Sequence, residues 1–345
     1  HHVSALAAKA DLLLGRGDPD AAAALARRAA GLEPSGEGRL RSAAKERAAA
    51  LAALGRAEEA RAHRVEARAA YQRALELDAY RVDALVGAGR VMLREGQPRD
   101  ALGRYEAALE VVRHRSDAAS VALVEEAQLG RAEALLRVAR PADARAALDA
   151  LAAERPQDAE VALWRGRALA ELGEDERAVG ELRRAIALGP DRFEAYMALA
   201  QHFFATDRPG DAAEILRSGQ TKVEPSVEVH VLLGESLLRR NELPAAEEEL
   251  RRALRLDSNN RAALFAVGVV ERRSGRLDEA EATFDRLASF DATYPGMALE
   301  RANIYEARGQ SSRAVEALER ALSRSPEDAE LKLRFAAAQV AAGRL

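Results

Sequence analysis

The sequence predicts an all-α fold, an α-solenoid in which antiparallel helix pairs stack along the chain. Three observations predict it: turn residues recur every 34 residues, small residues recur at fixed distances from each turn, and helix formers dominate the composition. Hydrophobic residues make up 48% of the chain and charged residues 31%, and no stretch shows the apolar alternation of a β-strand.

The turn residues belong to types that enter the left-handed region of backbone conformation at low cost. They are Gly173, Asp207, Asn241, Gly275, Gly309 and Gly343. Small residues lie seven positions before these turns, at Ala132, Gly166, Ala200, Gly234, Gly268, Ala302 and Ala336. Others lie five positions after them, at Ala144, Ala178, Ala212, Ala246, Ala280 and Ala314. Small residues on both sides of a turn predict two antiparallel helices that approach closely.

This spacing resembles the tetratricopeptide repeat family, whose 34-residue unit is a helix, a turn and a second helix. Two further columns of that family are present. Large apolar residues lie four positions after the alanines that follow each turn, at Tyr105, Leu148, Leu182, Leu216, Leu250, Phe284 and Leu318. Prolines end several units, at Pro34, Pro156, Pro190 and Pro326. The resemblance covers nearly the whole chain and implies a right-handed superhelix of antiparallel helix pairs.

Counted in order, the repeats number nine, followed by an unfinished tenth. The first spans 3–36, an irregular one spans 37–81, and the others begin near 82, 125, 159, 193, 227, 261 and 295. We therefore expect an N-terminal segment over 3–116 and a regular array over 117–345, joined in one continuous superhelix. An apolar last helix predicts that the parent protein continues beyond residue 345.

Two intervals between turns are too long. From Gly17 to Gly96 the distance is 79 residues, and nothing between Ala57 and Leu77 breaks a helix, so we predict that the second helix of the second repeat is lengthened. From Gly96 to Ala139 it is 43 residues. There, the stretch from Arg113 to Val124 predicts extra turns before the fourth repeat, with Ser116 or Asp117 as the N-cap.

Charge and composition exclude several classes of function. A net charge of −4 and an isoelectric point near 6.0 give no general attraction to nucleic acid, and no long apolar stretch predicts membrane insertion by this segment. Without cysteine, no disulfide framework or zinc–cysteine site can form. Only four of the 52 basic residues are lysine, a bias that predicts a GC-rich bacterial source. We favour the cytoplasm over the periplasm.

No catalytic pattern is present in the sequence. The histidines beyond the N-terminal pair, namely His63, His114, His202 and His230, are isolated, and every glycine falls at a repeat column or a turn rather than in a phosphate-binding loop. The sequence therefore predicts no enzyme activity, no cofactor and no metal.

Arg131, Arg165 and Arg301 replace an apolar residue of the family in the first helix, which predicts looser packing or a guanidinium that reaches water.

The family's first helices line a groove, which implies that positions 5, 9 and 12 of each repeat face a partner. Position 5 is an unbroken apolar row, and aromatic residues concentrate in the fifth and sixth repeats. The predicted groove residues are Leu163, Trp164, Arg167, Met197, Gln201, Phe204, Val231, Glu235 and Phe265. The alternative is that position 5 partly packs between neighbouring first helices and that Trp164 packs on the next repeat. Position 2 is acidic in most units, either for the helix dipole or to attract basic segments.

The sequence as a whole predicts a non-catalytic scaffold that binds a protein partner, whether a peptide, a helix or a domain, in a bacterial assembly for polarity, motility, secretion or export. The alternative is a substrate-recruiting or periplasmic arm of a larger enzyme or of a polysaccharide export protein. Since lysine is almost absent, we do not expect the carboxylate clamp of the family's chaperone-tail binders.

Overall fold

The computed structural model describes residues 2–32, 40–114, 118–220 and 226–343, and these hold nineteen α-helices and no strand. The all-α prediction is confirmed. Nine helix pairs are followed by one unpaired helix, as the 34-residue spacing predicts. The chain forms two compact units, His1–Leu188 and Gly189–Leu345.

The first unit contains ten helices in five antiparallel pairs. They are α1 (His2–Gly15), α2 (Pro19–Ala30), α3 (Leu40–Ala60), α4 (Arg64–Leu77), α5 (Val82–Arg94), α6 (Pro98–Arg113), α7 (Ala118–Arg137), α8 (Pro141–Glu154), α9 (Ala159–Glu171) and α10 (Asp175–Leu188). Each helix packs against its partner and against the next pair, so the core runs along the unit as a row of buried side chains.

The second unit contains nine helices. They are α11 (Phe193–Ala205), α12 (Pro209–Gln220), α13 (Val227–Arg239), α14 (Leu243–Leu256), α15 (Arg261–Arg273), α16 (Leu277–Phe290), α17 (Met297–Ala307), α18 (Ser311–Leu322) and α19 (Ala329–Ala341). Its first helices contact one another in sequence, α11 with α13, α13 with α15 and α15 with α17. Equivalent positions of these helices therefore form one continuous surface.

All six predicted turn residues lie in the left-handed region. Asp207 has φ 55° and Asn241 has φ 63°, while the four glycines have φ between 70° and 79°. Two alanines, Ala62 with φ 61° and Ala139 with φ 58°, occupy the same place in other pairs. The left-handed backbone conformation costs alanine about 1 kcal/mol or more of free energy. The packing of the two helices, rather than the local preference of the residue, therefore determines these turns.

The predicted helix from Ala57 to Leu77 is wrong. Helix α3 ends at Ala60 and α4 begins at Arg64, so the lengthened helix of the second repeat is the first one, with 21 residues. The physical reason is Ala62, which lies 34 residues before Gly96 and makes the same turn without a residue type that signals it. The other insertion matches its prediction, because the 20-residue α7 starts early, at Ala118. Ser116 and Asp117 lie outside the described residues.

The small and large columns of the sequence meet in the core. A Cβ added to Gly166 would lie 2.6 Å from Cγ of Leu182, and one added to Gly234 would lie 2.5 Å from Cγ of Leu250. Leu182 and Leu250 are fully buried. In these two repeats, the large side chain of the second helix therefore fills the space left by the glycine in the first helix, as close helix approach requires.

Tyr71 fills a double notch in the first unit. Its ring lies between Gly55 of α3 and Gly87 of α5, where an added Cβ would come within 2.5 Å and 2.3 Å of ring atoms. The side chain is fully buried, and its hydroxyl donates a hydrogen bond to Glu59 over 2.7 Å. One aromatic side chain thus joins the second repeat to the third.

Arginines also join successive repeats, at the last turn of the first helix. Arg137 donates to the carbonyl of Leu93 over 3.2 Å, Arg239 to that of Phe204 over 3.2 Å, and Arg273 to that of Leu238 over 3.0 Å. Each acceptor is a carbonyl near the C-terminal end of the preceding first helix. Each of these carbonyls also accepts from the backbone N–H of the turn residue three positions later, Gly96, Asp207 or Asn241. The arginine therefore adds a second hydrogen bond, and its positive charge favours the helix dipole.

The three arginines that replace apolar residues reach the second helix of the preceding repeat. Arg165 contacts Asp149 over 2.7 Å and also Glu181 over 2.9 Å, and Arg301 contacts Asp285 over 2.6 Å. Arg131 lies 3.6 Å from Glu106. Their guanidinium groups are therefore held in ion pairs between repeats rather than simply reaching water.

Candidate protein-docking face

The nine predicted groove residues divide between the two units. Three lie on α9 of the first unit: Leu163, Trp164 and Arg167. Six lie on the consecutive first helices of the second unit, namely Met197, Gln201 and Phe204 on α11, Val231 and Glu235 on α13, and Phe265 on α15. We call the surface formed by these six residues the docking face.

The three residues of the first unit are largely engaged in packing. Leu163 is only 6% exposed. Trp164 is half-buried and packs against the core of its unit, and the Arg167 guanidinium lies 4.7 Å from the centre of its ring. Trp164 therefore makes packing contacts within the first unit and keeps part of its surface exposed.

The docking face offers a row of half-buried apolar side chains. Met197, Val231 and Phe265 occupy equivalent positions on contacting helices, and each keeps part of its surface exposed. The Phe265 ring packs 5.1 Å from the ring of Tyr294 and 6.0 Å from that of Phe284. Such partly exposed apolar side chains on a rigid helical surface are suited to bind an apolar side chain of a partner.

Polar residues lie between the apolar ones. Gln201 is exposed, and Glu235 is half-buried one helical turn after Val231. No hydrogen bond or ion pair of the Glu235 carboxylate is found among the described residues. Burial raises the pKa of this carboxyl above its ordinary value, and Arg239 only partly offsets the effect.

The first unit shows why Glu235 lacks a partner. Glu133 occupies the same repeat position and is also followed four residues later by an arginine, Arg137, which pairs with it over 2.8 Å. In the second unit, the equivalent Arg239 stacks on the Phe204 ring at 3.7 Å from its centre and contacts Asp207. The first unit has Leu93 where Phe204 stands, so the aromatic ring draws the arginine away from the glutamate.

Elsewhere on the first helices of the first unit, charges neutralise one another. Arg56 pairs with Asp83 over 3.0 Å, and Arg90 pairs with Glu59 over 2.7 Å and with Glu126. Glu126 lies inside α7, so the helix dipole does not explain it. Sequence reasoning missed these pairs. Two of them, Arg56–Asp83 and Arg90–Glu126, join position 9 of one repeat to position 2 of the next and could have been read from the spacing.

The described residues contain no group of three or more potential metal ligands and no helix long and apolar enough to cross a membrane. His230 is buried and contacts Glu249 over 2.7 Å, which accounts for one of the isolated histidines as a packed side chain. A cavity of about 680 Å³ lies between residues 288 and 331, and none of the nine predicted residues lines it.

Models of the tetratricopeptide repeat match residues 129–191, 176–224, 231–298 and 295–338. Among characterised proteins, the chain is 38% identical over 123 residues to the cellulose synthase operon protein C of Xanthomonas axonopodis pv. citri (strain 306). That match covers 33% of this chain and 8% of the relative, so the chain spans only a small part of the relative's length.

Solved structures share the fold at low sequence identity. A tetratricopeptide repeat protein of Parabacteroides merdae ATCC 43184 has a TM-score of 0.61 and 17% identity, covering 78% of this chain and 98% of that one. PilW, a type IV pilus biogenesis factor, has a TM-score of 0.56 and 18% identity, covering 61% and 97%. The APC/C hetero-tetramer Cut9-Hcn1 has a TM-score of 0.53 and 15% identity, covering 96% and 83%.

Proposed function

Because this chain belongs to the tetratricopeptide repeat family, we propose that it is a non-catalytic scaffold that binds a protein partner on its docking face. The family's fold is in general a protein-interaction module. The partner is a peptide-like segment or a helix that carries apolar side chains for the row of Met197, Val231 and Phe265. We further propose that a basic side chain of this partner pairs with Glu235.

The observation that carries the proposal is the half-buried carboxylate of Glu235, which lies one helical turn after Val231 and has no hydrogen bond or ion pair among the described residues. Leaving a carboxylate partly desolvated without a partner costs free energy, which a bound ammonium or guanidinium would recover. Hydrogen bonds to a charged group contribute roughly 1.5 to 3 kcal/mol. A partner with both an apolar anchor and a basic group therefore gains both affinity and register at this surface.

Selection from a random peptide library displayed on phage tests this function. We expect the enriched peptides to share apolar residues and a basic residue at a constant distance from them. Glu235→Gln should weaken the selected peptides by about tenfold, or about 1.4 kcal/mol, because the amide cannot form the ion pair. Isothermal titration calorimetry with synthetic copies of the peptides measures the loss.

Glu133→Gln is the matched control, because that carboxylate occupies the same repeat position and already has Arg137 as a partner. Phe204→Leu gives a second variant: with leucine there, as at Leu93, Arg239 is free to pair with Glu235 and affinity should again fall. Because Phe204 itself lies on the docking face, the part of this loss that comes from Glu235 is the part that disappears when Phe204→Leu is made in the Glu235→Gln protein. Peptides that lack a shared basic residue, or that bind the Glu235→Gln protein as well as the original one, contradict the proposal.

The affinity of a basic peptide should also depend on pH. In the free protein, burial raises the pKa of Glu235, and a bound basic group would lower it. A carboxyl whose pKa falls on binding contributes affinity that is complete above the free-protein pKa and is lost as the pH decreases through it. Titrations at decreasing pH should therefore show weakening that begins above the ordinary range of a glutamate. The Glu235→Gln protein should lack this step, and an identical pH profile in both proteins would rule out Glu235 as the titrating group.

A second candidate function is an arm of a larger protein that serves polysaccharide synthesis or export. It is favoured by the similarity to the cellulose synthase operon protein C, which covers 123 residues. Affinity purification of the full-length protein from its source, followed by mass spectrometry, would test it. Recovery of a polysaccharide synthase subunit, lost on Val231→Asp, would support this candidate, whereas its absence from the purified complex would reject it.

A further inference from the structure

The cavity of about 680 Å³ in the second unit is a cleft beside the link that joins α16 to α17. This link contains six residues, 291–296, whereas the link from α14 to α15 contains four. Gly296, with φ 80°, ends the longer link and starts α17. One wall of the cleft is the link itself, and the other is a face of α18. Its volume lies within the range of about 300 to 1,000 Å³ that is typical of ligand sites.

Four arginines line the cleft, Arg301, Arg313, Arg320 and Arg324, against two acidic residues, Glu316 and Asp328. Asp328 is occupied in capping α19, where it accepts from the backbone of Leu331 over 3.0 Å. Arg301 pairs with Asp285 over 2.6 Å. The excess of positive charge in the cleft therefore comes from Arg313, Arg320 and Arg324, although the chain as a whole has a net charge of −4.

Two of these arginines have no carboxylate within ion-pair distance in the described part of the chain. Arg313 lies over the Tyr305 ring at 4.6 Å and donates to the side chain of Gln310 over 3.0 Å. Arg324 is exposed and has no side-chain partner among those residues. Arg320 lies 3.6 Å from Glu316, and both side chains are mostly exposed. Pairs of this kind contribute about 1 kcal/mol or less and can exchange for another carboxylate.

The cleft has an apolar floor beneath the arginines. Met297, Tyr305 and Leu331 line it and are buried, and Leu299 and Ala317 line it with part of their surface exposed. A pocket with an apolar floor and cationic walls matches a ligand with an apolar group flanked by carboxylates. An extended polyanion matches it less well, because so few cations neutralise only a few phosphates.

We propose that this cleft binds an acidic peptide segment of a protein partner, with one apolar side chain on the floor and carboxylates paired to Arg313 and Arg324. The site is separate from the docking face, because none of the six residues of that face lines it. It also has the opposite charge preference, since the docking face presents an unpaired carboxylate. The array can thus hold an acidic segment and a basic segment at two places.

Fluorescence anisotropy with two labelled peptides tests this site. One is a short glutamate-rich peptide with a single leucine, and the other has every glutamate replaced by lysine. We expect the acidic peptide to bind and the basic one not to bind in the cleft. The double variant Arg313→Glu, Arg324→Glu should weaken the acidic peptide by at least about tenfold, because the two attractive contacts become repulsive. Raising the salt concentration should weaken it as well.

Arg255→Glu is the control, because Arg255 is also an exposed arginine at the end of a second helix but lies outside the cleft. It should leave the affinity unchanged. Ala317→Phe narrows the cleft without a change of charge and should also weaken binding. Equal losses for Arg255→Glu and the double variant would overturn the proposal, and so would tighter binding of single-stranded RNA or anionic vesicles than of the acidic peptide. Loss of the docking-face peptides alone, after Glu235→Gln, leaves this result unaffected.

Discussion

Tyr71→Ala should lower the free energy of unfolding by about 3 to 5 kcal/mol, the usual cost of deleting a large aromatic side chain from a core. Tyr71 is fully buried and fills the space left by Gly55 and Gly87, so its removal leaves a cavity that two glycines cannot close. The deletion also leaves Glu59 without the hydroxyl that donates to it. Denaturant unfolding followed by circular dichroism measures the loss.

Tyr80→Ala is the control, because Tyr80 is 67% exposed and should cost less than about 0.5 kcal/mol. The damage should also be local, because each repeat of such an array contacts only its neighbours. Hydrogen exchange should therefore accelerate in α3, α4 and α5 and stay unchanged in α14 and α15. Equal stability of the two variants would mean that the Tyr71 ring does not hold the second and third repeats together.

Gly87→Ala and Gly180→Ala should change stability in opposite directions, although the chemical change is the same. A Cβ at Gly87 would lie 2.3 Å from the Tyr71 ring, which has to move within a filled core, so we expect a loss of about 1 to 3 kcal/mol. Gly180 lies in α10 with nothing within 4 Å of an added Cβ. There, alanine should stabilise the protein by about 0.5 to 1 kcal/mol, because it favours the helix.

The midpoints of denaturant unfolding of the Gly87→Ala and Gly180→Ala proteins, each compared with the original protein, measure these two changes in stability. If both variants gain stability, the Tyr71 ring can move at little cost and the notch is loose. The combination Gly87→Ala, Tyr71→Leu offers a further check, because the smaller leucine makes room for the added methyl group. Most of the loss caused by Gly87→Ala should then be absent when the variant is compared with Tyr71→Leu alone.

The regular part of the fold was predictable because each turn demands a backbone conformation that few residue types adopt easily. Asp207 and Asn241 reveal their turns in this way. Ala62 does not, because alanine is a good helix former and reaches the left-handed region only under the constraint of its packed neighbours. The same constraint moved the lengthened helix from the predicted second position to the first.

The surface was less predictable than the core. Glu133 and Glu235 share a repeat position and a following arginine, and the spacing alone makes them equivalent. Their environments differ because the preceding first helix presents leucine in one case and phenylalanine in the other, which changes what the arginine contacts. The arginine-lined cleft depends on a link only two residues longer than the link from α14 to α15, and no residue pattern within one repeat signals it.

The arginines that donate to the end of the preceding first helix give the array a direction. In each of the three junctions, the acceptor carbonyl belongs to the earlier repeat and the donor to the later one. A ribosome releases the N-terminal repeats first, so the helix end that receives an arginine is already made when that arginine emerges. Each new repeat can therefore pack against a preceding first helix that has already been synthesised. The repeats can fold onto one another in the order in which they are made.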